Sequence, residues 1–129
     1  MEEKKKVFEV KPEITIELTQ EDIDDIMATA LDSGIFYWCY RAEVIGEYRG
    51  EFASDQISRG GMLRLYDREN GEKYLLSLDG FLRGFKLWAE KEKDEWGVIN
   101  CGKVDTGNVD ACIADAIVQY ALFSDVVYG

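Results

Sequence analysis

Ile14, Ile16 and Leu18 alternate with Thr15 and Glu17, a period of two that predicts a half-buried strand. The period then changes. Ile23, Ile26, Met27, Ala30 and Leu31 recur at helical spacing, so a helix follows with one apolar face. Thr19 stands three residues before Asp22, the spacing of a capping box, and Gly34 is placed to end the helix as its C′ residue. Residues 35–40 are apolar or aromatic at every position; their β-forming character and the glycines at 34, 46 and 50 predict strand over helix. Residues 53–58 predict a short helical turn closed by Gly60-Gly61. Residues 62–66 and 73–76 flank a segment ending in Asn70-Gly71, the strongest short hairpin signal.

Beyond the hairpin, Ser77 or Asp79 can cap a second helix with Phe81, Leu82, Phe85 and Trp88 on one face, running to about Lys91. Residues 91–95 form a solvated loop, and residues 96–99 a short strand. Residues 106–108 open a third helix. Its apolar face holds Val109, Cys112, Ile113, Ala116, Ile117, Tyr120 and Ala121, and Asp110 and Asp115 mark its wet face. Residues 1–11 are charged and predict a frayed arm or a first edge strand. No repeat, linker or low-complexity segment divides the chain. The expected fold is α+β: one domain over residues 1–129, a small antiparallel sheet with two or three packed helices.

Composition supports a core without a staple. The 129 residues are 47% hydrophobic with sixteen aromatics, enough for a single domain of ordinary size to bury its own core. The aromatic content also predicts an exposed apolar patch and self-association into a homo-oligomer. Cys39, Cys101 and Cys112 make no framework, which suits a reducing compartment and thiols that serve as small core residues. No stretch resembles a signal peptide or reaches the ~18 apolar residues of a membrane span. A cytoplasmic protein without membrane contact is expected.

Charge and chemistry narrow the functional classes. Twenty-six acids against fifteen bases give a net charge of −11, which argues against direct nucleic-acid binding. The chain has no histidine, so histidine triads, histidine zinc sites and histidine acid–base chemistry are excluded. The three thiols therefore have no histidine base beside them. Asp105 to Asp110 only faintly resembles a calcium loop, because Gly107 holds a ligand position and no glutamate stands twelfth. Glu21, Asp22, Asp24 and Asp25 spread over more than one helical face, a solvated surface rather than a metal cluster. A glycosidase-type carboxylate pair stays open, since nothing selects a pair among the twenty-six acids; no specific catalytic residue, cofactor or metal site is expected.

Two features remain. Residues 21–34 and 101–129 supply −8 of the net charge, while residues 35–100 hold twelve acids and ten bases. The acidity is thus expected on the outer faces of the first and last helices, where Asp24, Asp25 and Asp115 would meet a basic partner. The balanced middle instead concentrates rings and guanidinium groups. Tyr37 or Trp38 would stack on a base, while Arg41, Arg59 and the Gly60 and Gly61 amides would hold phosphate. A core role for Tyr37 and Trp38 and a plain turn at Arg-Gly-Gly are the competing structural readings.

Four blocks carry a resemblance: Asp22-Ile-Asp-Asp-Ile26, Gly34-Ile-Phe-Tyr-Trp38, Ala53-Ser-Asp-Gln-Ile-Ser-Arg-Gly-Gly61 and Val118-Gln-Tyr-Ala-Leu-Phe123. They resemble a family of short phage and prophage proteins from Gram-positive, Firmicutes-type gut bacteria. The resemblance runs from about residue 13 onward and brings no assigned activity. It implies a mobile-element accessory protein made in a bacterial cytoplasm. Such proteins often counter host defence. The leading expectation is sequestration, without turnover, of a nucleotide immune signal such as a cyclic oligonucleotide or an ADP-ribose derivative. The alternatives are an acidic inhibitor that blocks a CRISPR effector nuclease by direct binding, and a structural or regulatory phage protein.

Overall fold

The computed structural model describes residues 6–129. The expected charged arm over residues 1–11 therefore lies partly outside the described residues; residues 6–13 form neither helix nor strand and are exposed. The strand expected at Ile14, Ile16 and Leu18 does not form. Ile14 is exposed, and the segment makes one isolated bridge, with the Glu17 amide donating to the Gly102 carbonyl at 2.7 Å. Among the described residues its bridge partner belongs to a strand of two residues, too short to extend a ladder.

Helix α1, Gln20–Thr29, begins where the sequence places it. Thr19 Oγ1 accepts from the Asp22 amide and the Asp22 carboxylate accepts from the Thr19 amide, both at 3.0 Å, closing the capping box. Gly34 is not a left-handed C′ residue. The helix instead widens into one π turn, Ala30–Gly34, and a Cβ on Gly34 would lie 2.8 Å from the Ala111 carbonyl oxygen. Glycine is required there for close approach rather than for a positive φ.

The apolar run after Gly34 is a turn before it is a strand. The amides of Trp38 and Cys39 both donate to the Ile35 carbonyl, so Ile35 and Trp38 point inward while Phe36 and Tyr37 face solvent. Strand β1 is Cys39–Ile45. Two short 3-10 turns follow, Ala53–Asp55 and Ile57–Arg59, ended by Gly60 at φ +82°. Strands β2, Met62–Asp67, and β3, Lys73–Leu76, form the expected hairpin, with Gly71 at φ +70° in its turn. The sheet is antiparallel in the order β1-β2-β3. Leu63, Leu65 and Leu76 form its fully buried inner face, with Ala42 and Val44 of β1 opposite Leu65 and Leu63.

Helix α2, Leu78–Lys91, is capped by Ser77, whose Oγ accepts from the Gly80 amide at 3.1 Å. Phe81, Phe85 and Trp88 are buried, but Leu82 lies beyond the edge of that stripe and is exposed. Trp96 is also exposed, and strand β4 is only Ile99–Asn100, paired with β5, Lys103–Val104. The 106–108 segment is a separate 3-10 turn. Helix α3, Ala111–Phe123, starts later, with Asp110 accepting from the Ile113 amide at 2.8 Å. Cys39 is buried, whereas Cys101 and Cys112 are exposed, so only one thiol is a core residue. One contiguous apolar cluster joins all three helices to the sheet. Among the described residues no helix is long and apolar enough to cross a membrane.

Candidate functional site

The pocket expected between Tyr37 and Gly61 is not assembled. Trp38 is 3% exposed, and Tyr128 stacks flat on its ring with centroids 4.8 Å apart. The Trp38 indole N–H donates to Asp115 Oδ1 at 2.8 Å, and the Tyr37 hydroxyl donates to Asp115 Oδ2 at 2.6 Å. The Gln119 amide adds a third donor to the same carboxylate at 2.9 Å, while its Oε1 accepts from the amides of Val127 and Tyr128. Tyr128 in turn donates to Asp67. These side chains form a partly buried polar clasp that ties residues 127–128 across α3, and Trp38 presents no face to a base. Burial, and then the hydrogen bond and charge of Asp115, push the Tyr37 phenol up to about 12.

The phosphate half of that pocket is likewise engaged elsewhere. The Gly60 amide donates to the Ile57 carbonyl at 3.1 Å and the Gly61 amide to the Gln56 carbonyl at 2.8 Å. Both close the 3-10 turns, so neither points at an anion. Arg59 Nη1 is held by the Asp24 carboxylate at 3.2 Å and the Asp55 carbonyl at 2.9 Å. Arg41 lies apart from them, on β1, against Glu43 and Tyr66.

The expected acidic surface is also broken up. Asp115, placed on the wet face of the last helix by its sequence, is 8% exposed and buried in the clasp. Asp24 is paired with Arg59 and Ser58, and Asp25 accepts from the Thr106 hydroxyl at 2.9 Å. In the calcium-like segment, Asp105 caps the 3-10 turn and Asp110 caps helix α3. Among the described residues no three potential ligands from histidine, cysteine or the acids converge as a metal site.

A different cluster forms on the outer face of the sheet. The β2–β3 register sets Tyr66 opposite Lys73 and Arg64 opposite Leu75, and the β1–β2 register sets Arg41 opposite Tyr66 and Glu43 opposite Arg64. An irregularity in β1 between Cys39 and Arg41 brings two successive side chains, Tyr40 and Arg41, against the same ring. Tyr40 lies 5.7 Å from the Tyr66 centroid, Arg41 5.3 Å and Lys73 5.6 Å. Glu43 accepts from Arg41 at 2.6 Å, Arg64 at 2.9 Å and the Tyr66 hydroxyl at 3.0 Å. The Tyr66 hydrogen bond, with the two guanidinium groups, holds the Glu43 carboxyl below the usual carboxylate range. Two guanidinium groups thus share one carboxylate, and Lys73 lies over the Tyr66 ring beside them. Tyr66 is buried beneath them, while Tyr40, Arg41 and Lys73 are exposed.

The rest of the surface has the opposite sign. A cleft of about 300 Å³ between the end of α2 and the start of α3 is lined by Glu92, Asp94, Glu95 and Asp110 against a single Lys93. It repels an anion. Sequence reasoning missed Tyr40, Arg64, Tyr66 and Lys73 as a group. The signal was available in part: an Asn-Gly hairpin with alternating Met62, Arg64 and Tyr66 already faces Tyr66 toward Lys73. No protein-family model, curated protein or solved structure matches the chain.

Proposed function

We propose that this chain is a non-catalytic binding protein that holds a small nucleotide on the outer face of its sheet. The observation that supports this reading is the set of Arg41, Arg64 and Lys73 around Tyr66 in a chain of net charge −11. Tyr40 offers an exposed ring to a base, and Lys73 together with the guanidinium donors that Arg41 and Arg64 do not spend on Glu43 would meet phosphate oxygens, with Tyr66 positioning them from below. A small anion can approach this face, whereas a long polyanion also meets the acidic remainder of the molecule. With the mobile-element origin that the resemblance implies, the ligand class is a nucleotide immune signal, a cyclic oligonucleotide or an ADP-ribose derivative, sequestered and not turned over.

Calorimetry against cyclic dinucleotides, cyclic trinucleotides and cyclic ADP-ribose isomers tests this, with mass spectrometry of the ligand released on denaturation. Saturable binding is expected, weakened at least ~10-fold in Arg64→Ala or Lys73→Ala, each of which removes a charge-assisted contact. Arg59→Ala should leave it unchanged, and the ligand should return intact. Absence of binding across the panel, or loss confined to Arg59→Ala, would overturn the reading; a recovered cleavage product would make the chain an enzyme. The acidic-inhibitor alternative retains Asp24 and Asp25 only in their paired state and loses Asp115 to the interior.

A further inference from the structure

Strand β1 ends the sheet. It has β2 on one side, and among the described residues the backbone of residues 40–45 makes no hydrogen bond to another backbone outside that pairing. Among the described residues the one side-chain bond to the backbone of residues 40–45 is local, from the Cys39 thiol to the Arg41 carbonyl at 3.2 Å. Seven residues of strand with unpaired donors and acceptors are a template for another strand, and proteins usually blunt such an edge with charge or a bulge. This edge carries both, but its two charges are of opposite sign and two residues apart: Arg41 and Glu43.

That spacing is self-complementary. We propose that two copies of the chain pair through β1, antiparallel about a two-fold axis at Ala42, to make one six-stranded sheet. A continuous sheet needs residues opposite one another to share a face, so the axis must pass through a residue and not between two. An axis at Arg41 sets arginine against arginine, and one at Glu43 sets glutamate against glutamate. The axis at Ala42 sets Arg41 of each copy opposite Glu43 of the other, giving two opposite-charge pairs. Both side chains lie on the outer face, since Ala42 and Val44 belong to the inner one. Glu43 also holds Arg64, so it remains neutralised while Arg41 reaches across.

The other edge of the sheet lacks this property. Strand β3 has four residues, and its only charged residue is Lys73, so no two-fold register there pairs opposite charges. An isologous interface on β1 closes on itself as a dimer and leaves no free β1 edge to propagate. It also sets the two Arg41 side chains beside the axis, so the cationic outer face is shared between protomers. The dimer itself does not depend on what that face binds.

The test is oligomeric state in the absence of nucleotide, by light scattering on a sizing column. The native chain is expected at twice the chain mass. Arg41→Glu alone and Glu43→Arg alone should each run as folded monomers by circular dichroism, since each sets like charges across the axis. An equimolar mixture of the two should recover the dimer, because one copy then offers two glutamates and the other two arginines. A like-charged pair within each chain is not relieved by mixing, so recovery reports contact between copies. Hydrogen exchange provides a measure independent of the variants: protection of the amides of residues 40–45 should rise with protein concentration. A native chain that is monomeric at every concentration, or mixing without recovery, or exchange independent of concentration, would overturn the proposal while leaving nucleotide binding to its own test.

Discussion

Asp115 is a carboxylate in a strongly acidic chain, yet it sits 8% exposed and accepts from Tyr37, Trp38 and Gln119. Replacing Asp115 by Asn sets an NH₂ group against those donors. Since a buried unsatisfied donor costs about 1–3 kcal/mol, Asp115→Asn should lower stability by roughly 2–4 kcal/mol, read from the urea midpoint; a shift of no more than about 0.5 kcal/mol, the size of an ordinary surface substitution, would show that the clasp is dispensable. The same network sets a pH dependence. The folded Tyr37 phenol, at about 12, lies above its ordinary value, so its contribution is complete below about pH 10. It is lost as pH rises through about 12. Tyr37→Phe should therefore show a smaller fall in stability over that alkaline range than the native chain, and an equal fall would refute it. None of this is legible from residue 115 alone. Its donors Tyr37 and Trp38 lie 78 and 77 positions away, and a carboxylate reads as solvated until a fold brings partners to it.

Element boundaries were legible where the signal is local. The caps at Thr19 and Ser77 and the Asn70-Gly71 turn each depend on residues within four positions, and all form as read. The orientation of α3 was not. Its sequence is apolar nearly all round, so the face read from its pattern is not the one the fold buries: Asp115 turns inward, Cys112 is exposed, and the helix passes through the core with Ala114, Ile117, Val118 and Ala121 buried together. Ile113 and Ala116 are left half-buried on the side of the acidic cleft. Close approach of α2 to α3 supplies an element-scale prediction. A Cβ on Gly84 would lie 2.5 Å from the Ala121 nitrogen, whereas one on Gly80 would meet Ser77 Oγ at 3.3 Å and the Ala121 carbonyl oxygen at 3.7 Å. Gly84→Ala should therefore lower the thermal midpoint, because overpacking at about 1–3 kcal/mol outweighs the helix-propensity gain of about 1 kcal/mol. Gly80→Ala should be close to neutral or mildly stabilising. Equal midpoints for the two variants would contradict this packing.

At the scale of the whole molecule, the net charge of −11 is a standing repulsion that folding compresses. The five ion pairs among the described residues relieve it locally. Added sodium chloride should therefore raise the thermal midpoint up to about 0.5 M, as the screening length shortens to a few ångströms; a midpoint that falls with salt would mean that the pairs outweigh the repulsion. The sequence by itself determined the α+β class, the capped helices, the hairpin and the contrast between a balanced middle and acidic ends, because each follows from short-range periodicity or from counting. Only the tertiary structure decided which charges are available. It turned Asp115 inward, tied Arg59 to Asp24, closed turns with the Gly60 and Gly61 amides, and gathered Arg41, Arg64 and Lys73 around Tyr66. Availability is a property of partners, and partners across strands and helices are set by register and packing, which no local stretch of chain contains.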